Sequence, residues 1–510
     1  MSQVQPRTAL IFVLATAVAA LALLLAGTSS SGSQGTSGLP APRPLFAEGT
    51  QVSTSETPPT EQQCFSAVPA ARRCFTPQSF AAAYNLDDLP QDGSGYTIAV
   101  VDSFGSDTMA HDLKVFNDAF GLPHLCGEPG VACAPGMPKF STLPLQGSPA
   151  TKAPPSKNNS PGQEDRSAWA TEVALDVEWA HAVAPGASVL LVTTPTAETL
   201  GVQGFPQMMA AEKYVVEHHL ADVISQSFGS AEEAFHNSHS LENLRDAFKA
   251  AVTNNVTVLA SSGDEGPVND RKSPVSQGGS TIPGQTVGWP ASDPLVTAVG
   301  GTALCTDPTN TTTRVADNVD PPAACQAVQS PEIVWDEPDR GIATGGGFSH
   351  VFARPDYQAT LPAGSYPIPA SQRGIPDIAA NASPRTGVLI YLTLPPDGQS
   401  GLQCPTGTCS TGWYVIGGTS ASSPEWAGMV SRADQIAGHR LGFINPALYR
   451  LASSPGYYPG GFFDITIGDN HVSDDVAGFP ATTGWDASTG LGTPDAAKLL
   501  PDLAAAASSP

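Results

Sequence analysis

The chain has 510 residues, 41% of them hydrophobic and 14% charged, enough to bury a large core. Lys and Arg total 23 against 47 Asp and Glu, a formal net charge of −24. That balance argues against nucleic acid or an anionic membrane surface as partner, and it suits a mildly acidic milieu where carboxylates protonate and self-repulsion eases.

The N-terminus carries a lone Arg7 and then an apolar run over residues 9–26. Residues 1–27 read as an export signal or an uncleaved membrane anchor, so the expected location is secreted or extracytoplasmic and membrane-anchored. Residues 28–63 are rich in Ser, Thr, Pro and Gly and read as a disordered tether. Composition becomes globular from Cys64, and one domain is expected over 64–508. Eight cysteines fall as sequence neighbours, 64/74, 126/133, 305/325 and 404/409. In an exported chain an even count suggests disulfides, and nearest-neighbour pairing is the simplest connectivity.

Residues 76–86 suggest a short capped helix, 97–105 a buried strand ending in a turn, and 109–120 a helix. Residues 127–165 are rich in Pro, Gly, Ser and Asn and read as an exposed excursion. Alternation then resumes: helix 168–183 stopped by Pro185-Gly186, strand 188–193, helix 205–219, strand 222–227, helix 240–254, strand 256–261 and strand 296–299. A last strand, 413–416, precedes Gly417-Gly418 and Ser420, and Pro424 stands where a helix could start. Such alternation predicts an α/β fold with a mostly parallel central sheet and helices on both faces. Sites in such sheets lie at the carboxyl ends of strands, where Ser225 to Ser227, Ser261 to Asp264 and Ser420 all fall.

A serine nucleophile needs a base. None of the ten histidines stands beside a glycine turn at a strand end. His181 lies within a helix, His218-His219 end one and His350 follows GGGFS, so each reads as a surface or capping residue. Glu172 and Asp176 are four apart, which puts them on one helix face. Among Trp169, Val173, Trp179 and Ala180 such a pair does not ionise twice easily and shares a proton, so it can act as a base below neutral pH. The bland reading is a solvated acidic face. Asp264, in ASSGDEG, is either an Asx-turn residue or a protonated acid donating to an oxyanion.

The chain resembles the sedolisins, serine-carboxyl peptidases with a subtilisin-like fold. The resemblance covers roughly residues 64–500 and rests on ordered motifs: E-x-x-x-D with VEWAHAVAPGA, VISQSFG, ASSGDEG, GGGFS, RGIPDIAA, GGTSASSP, DITIG and GWDASTGLGTP. It implies that Ser420 is the nucleophile, Glu172 the general base, Asp176 the acid that orients and protonates it, and Asp264 the oxyanion acid. It also implies one structural calcium ion, with carboxylates from Asp464 and Asp486 and carbonyls from Ile465, Thr482 and Gly484; oxygen-only ligands suit calcium. Family members usually carry a large N-terminal prodomain, and residues 27–62 are too few for one. A separate prodomain or inhibitor chain, another route to latency, or loss of activity is then expected. The resulting expectation is a monomeric endopeptidase acting on polypeptides. The rivals are a histidine-dependent subtilisin-type enzyme using Asp102 and a non-catalytic binding protein on the same fold.

Overall fold

The computed structural model describes residues 43–44, 48–68, 70–145, 163–195, 205–235, 237–268, 284–317, 319–394, 402–404, 409–472 and 476–507. The apolar run 9–26 and half of the expected tether, residues 28–42 and 45–47, lie outside them. Among the described residues no helix is long and apolar enough to cross a membrane.

The elements that position the site are, in chain order, β1 (Glu48–Ser53), β2 (Thr97–Ser103), α1 (Met109–Phe120), β3 (Phe140–Pro144), α2 (Gln163–Val183), β4 (Ser188–Thr194), α3 (Phe205–Glu217), β5 (Val223–Gln226), α4 (Asp246–Thr253), β6 (Thr257–Ser261), β7 (Thr297–Leu304), β8 (Glu332–Val334), β9 (Ile378–Asn381), β10 (Val388–Leu392), β11 (Gly412–Gly417) and α5 (Thr419–Ala437). The central sheet runs β8-β7-β6-β5-β2-β4-β3, with β9 also beside β7. Every pairing in it is parallel except β7 with β8.

Alternation along β2 divides the core. Ile98 and Val100 pack with Val173, Trp179 and Ala180 of α2 and Ala421 and Trp426 of α5. Ala99 and Val101 point the other way, onto Met208 and Val215 of α3 and Phe248 and Ala251 of α4. Helices α2 and α5 touch closely because Gly428 has no side chain: a Cβ there would lie 2.7 Å from Val183 Cβ. Arg432 of α5 donates from Nε to Val183 O at 2.6 Å, capping the end of α2. The two helices that carry the serine and the acid pair are thus held side by side.

Several expectations are corrected. The serine strand β11 is not in the parallel sheet; it forms a three-stranded antiparallel sheet with β10 and β1. The strand β1 falls inside the expected tether, because a polar segment can form a ladder through its backbone alone once an edge is offered. Residues Phe140–Pro144, inside the expected excursion, form an edge strand of the central sheet. The expected helix 240–254 is broken into Ser238–Glu242 and Asp246–Thr253; Arg245 between them binds Asp293 through two guanidinium nitrogens at 2.6 and 3.0 Å. Pro424 does not start a helix but lies inside α5, which begins at Thr419. All four neighbouring cysteine pairs are disulfides.

Candidate active site

The carboxyl ends of β2, β5 and β6 deliver Asp102, Ser227 and Asp264. Helix α2 supplies Glu172 and Asp176, and the first turn of α5 supplies Ser420. Asp102, Glu172, Asp176, Ser227 and Ser420 are fully buried, and Asp264 is 5% exposed. The turn from β11 into α5 depends on its glycines. Gly418 has φ 130°, a conformation side chains resist, and a Cβ on Gly417 would lie 2.2 Å from Pro384 N. Ser420 therefore follows an abrupt bend and sits at a helix N-terminus, the positive end of α5.

Ser227 joins the two helices. Its Oγ donates to Asp176 Oδ1 at 2.8 Å and lies 3.4 Å from Ser420 O. The register that pairs Val101 with Gln226 places Asp102 beside Ser227 on the neighbouring strand. Asp102 therefore stands next to the acid pair, and neither of its carboxyl oxygens has a hydrogen-bond partner. Burial pushes Glu172, Asp176 and Asp102 well above the usual carboxylate range, and the charge of Asp102 pushes Asp176 and Glu172 further. Among the described residues no basic side chain is among the groups acting on Asp176 or Asp102. The Ser420 hydroxyl opposes the rise at Glu172. Ser420 Oγ and the Glu172 carboxylate are neighbours whose geometry falls short of a well-aligned hydrogen bond.

Asp264 is tied to the serine helix. Its Oδ1 accepts from the Thr419 N–H and the Thr419 hydroxyl, each at 2.8 Å. Thr419 Oγ1 in turn accepts from Gly263 N at 3.0 Å, and Ser261 Oγ donates to Thr419 O at 2.9 Å. The end of β6 and the start of α5 are thereby fixed to each other one residue before Ser420.

Near the C-terminus, Asp464 Oδ1 accepts from the Tyr458 hydroxyl at 2.8 Å and from Gly484 N at 3.2 Å. Asp486 Oδ1 accepts from Ser488 N and Thr489 N, and its Oδ2 from Thr482 N at 3.0 Å. The Tyr458 hydroxyl also lies 3.4 Å from Gly484 O and 3.0 Å from Leu491 O, so oxygens converge there. Ile465 follows Asp464 and is buried. Burial raises Asp464 and takes Asp486 to about 7, and among the described residues neither forms an ion pair. Two partly compensated carboxylates in an oxygen-only setting fit a hard cation.

The subtilase family model matches residues 93–440. Kumamolisin from Bacillus is 30% identical over 86% of this chain and 65% of its own length, and sedolisin from Pseudomonas is 33% identical over 56% of this chain and 41% of its own. The structure of Pseudomonas sedolisin, described as a serine-carboxyl proteinase complexed with two molecules of pseudo-iodotyrostatin, superposes with a TM-score of 0.60 at 27% identity. That superposition covers 84% of this chain and 98% of that one. The chain is a subtilase of the sedolisin type. It spans less than two thirds of the length of the curated relatives it matches.

Among the described residues of this subtilase no histidine hydrogen-bonds to Ser420, Glu172 or Asp176. His181 is not a surface residue as its sequence context suggested: it is buried, burial lowers its pKa to about 4, and its Nε2 is 2.9 Å from Pro123 O. Sequence reasoning named Ser227 only as a strand-end residue, gave Asp102 only to a rival mechanism, and passed over Thr419 and Tyr458. The signal for Asp102 and Ser227 was their shared position at the ends of adjacent strands.

Proposed function

We propose that this sedolisin-type subtilase is an exported peptidase that hydrolyses polypeptides at acidic pH, with Ser420 as nucleophile. The observation that carries the reading is the buried group of Asp102, Glu172 and Asp176 around the start of α5, with no basic side chain among the described residues acting on Asp102 or Asp176. Three clustered carboxyls hold protons in common and can keep one of their number ionised as a base at pH values where an ordinary histidine is already charged.

Glu172 takes the Ser420 Oγ proton as Oγ attacks the peptide carbonyl. Asp176, held by Ser227, orients Glu172 and shares its proton. Protonated Asp264 donates to the oxyanion as the tetrahedral intermediate forms. The intermediate collapses, the leaving amine takes the proton from Glu172, and an acyl-Ser420 ester remains. Glu172 then deprotonates the water that hydrolyses it.

Asp464 and Asp486, with carbonyls of Ile465, Thr482 and Gly484, are the proposed ligands of one structural calcium ion, which would neutralise one half-buried and one buried carboxylate. Residues 1–27 are proposed as the export signal or anchor, and the protein as a monomer. The test is labelling with a serine-reactive fluorophosphonate at acidic pH. The label is expected on Ser420 and absent from Ser420→Ala; an unlabelled Ser420 in folded protein favours the non-catalytic alternative. No observation favours the histidine-dependent one.

A further inference from the structure

Asp264 is held from two directions. Thr419 binds its side chain, and the segment 343–346 binds its main chain. Ala343 N donates to Asp264 O at 3.0 Å, and Gly345 N donates to Gly263 O at 2.6 Å. Ala343 ends a short hairpin in which Asp336–Glu337 pairs antiparallel with Ile342–Ala343, and Thr344 N extends it by donating to Trp335 O at 3.1 Å. Two glycines let the segment fit between its neighbours. A Cβ on Gly345 would overlap Ser262 O on one side, and a Cβ on Gly346 would overlap Ala487 O on the other.

Thr344 lies between these contacts and is fully buried. Its Oγ1 accepts from Gly301 N at 2.8 Å and donates to Ser488 O at 3.2 Å. Gly301 belongs to β7 of the central sheet. Ser488 belongs to the loop 486–490, which Asp486 closes by exchanging backbone hydrogen bonds with Gly490 at 3.1 and 3.0 Å. One hydroxyl thus fastens the segment to a sheet strand and a closed loop, while the amides on either side of it fasten the segment to the backbone of residues 263–264. A side chain that cannot both accept and donate at this point leaves Gly301 N and Ser488 O without that partner.

We propose that Thr344 is a positioning residue for peptide hydrolysis: its hydroxyl anchors the segment 343–346, and that segment sets where the Asp264 carboxyl stands beside Ser420. The inference rests on the reading of Asp264 as the oxyanion acid. Thr419 fixes one carboxyl oxygen, and the main chain of Asp264 decides where the other points. A donor stabilises an oxyanion only from about 2.7–3.1 Å, and a misplacement of about 1 Å can cost about 100-fold in rate.

The experiment measures kcat and KM for an unstructured peptide at acidic pH with the full chain and with Thr344→Val, Thr344→Ser, Asp264→Ala, and Thr344→Val combined with Asp264→Ala. Hydrogen exchange is followed at the Ala343 and Gly345 amides. Thr344→Val should lower kcat by about 10- to 100-fold with KM changed by less than about twofold, because the lost interaction is made in the transition state. Thr344→Ser keeps the hydroxyl and should keep most of the turnover. The two amides should exchange faster in Thr344→Val alone. In the Asp264→Ala background, Thr344→Val should cost less than about twofold, since the group it positions is gone.

Equal losses in the two backgrounds, a Thr344→Ser as poor as Thr344→Val, or unchanged exchange at both amides overturns the proposal. Should Thr344→Val fail to fold, Asn470→Ala supplies the same cycle, because Asn470 Nδ2 donates to Thr344 O at 3.2 Å. Full turnover in Asp264→Ala strikes the oxyanion reading and this proposal with it. A wild-type chain that hydrolyses no peptide strikes the peptidase reading, and amide exchange then decides whether Thr344 holds Asp264 in place.

Discussion

Thr419 gives both its backbone N–H and its hydroxyl to one oxygen of Asp264, each at 2.8 Å and each ending on Oδ1. An oxygen that accepts two hydrogen bonds is a poor place for a proton, so in the neutral acid proposed for Asp264 the proton belongs on Oδ2. The residue before the proposed nucleophile thereby sets which oxygen of the proposed oxyanion acid would donate.

Asp264→Asn keeps this arrangement, with the amide oxygen facing Thr419 and the amide N–H₂ in the donor position. It should retain part of the turnover at acidic pH and lose less of it toward neutral pH, because the donor no longer titrates. Asp264→Ala should lose on the order of 100- to 1000-fold in kcat. Wild-type turnover in both variants at acidic pH would reduce Asp264 to a turn residue.

Ser227 donates to Asp176 Oδ1 at 2.8 Å and lowers the pKa of both Asp176 and Glu172. A donor to a carboxylate favours the charged form, so Ser227→Ala should raise the pKa of the pair. The acid limb of the kcat/KM profile should move to higher pH, with kcat reduced. A profile that stays in place while stability alone falls would show that Ser227 only packs.

Glu212 of α3 is fully buried, and neither carboxyl oxygen has a hydrogen-bond partner. Burial raises its pKa well above the usual 4.5. Burial likewise takes Asp434 up to about 8, against a hydrogen bond from Leu441 N. A carboxyl raised in this way keeps its proton in the fold where the unfolded chain has released it. Its contribution is complete below its ordinary pKa and is lost as pH rises through the folded value. Tm should therefore fall from about pH 4.5 toward pH 8, and Glu212→Gln should flatten the fall. A Tm that rises over this range contradicts the account.

The proposed calcium site predicts a ligand effect. Removing calcium with a chelator should lower Tm, since an ion bound only by the folded state contributes about 2.7 kcal/mol at 100 times its Kd. Asp464→Asn and Asp486→Asn should have a low Tm that chelator no longer changes. If chelator still lowers the Tm of Asp486→Asn by the wild-type amount, the ligands are elsewhere.

Much of this molecule was legible from spacing. The strands of the parallel sheet announce themselves as short apolar runs between amphipathic helices, and Glu172 and Asp176 share a face because a helix repeats every 3.6 residues. The contacts that assemble the site leave no such trace. Ser227 meets Asp176 across 51 residues and Thr419 meets Asp264 across 155, distances at which only the folded sheet decides proximity. The serine strand was misassigned to the central sheet because an apolar run before a glycine turn reads alike in either sheet. The polar strand β1 was hidden because its ladder is made by backbone, which composition does not report.

The central claim is that a buried carboxylate, not a histidine, activates Ser420. The measurement that tests it most directly is the pH dependence of kcat/KM for hydrolysis of an unstructured peptide by wild type, Ser420→Ala and Glu172→Gln. Activity in the wild type should be highest at acidic pH and fall toward neutrality, and both variants should lose at least about 10⁴-fold. Wild-type activity that instead rises through a pKa near 6.5, the ordinary histidine value, and survives in Glu172→Gln would contradict it.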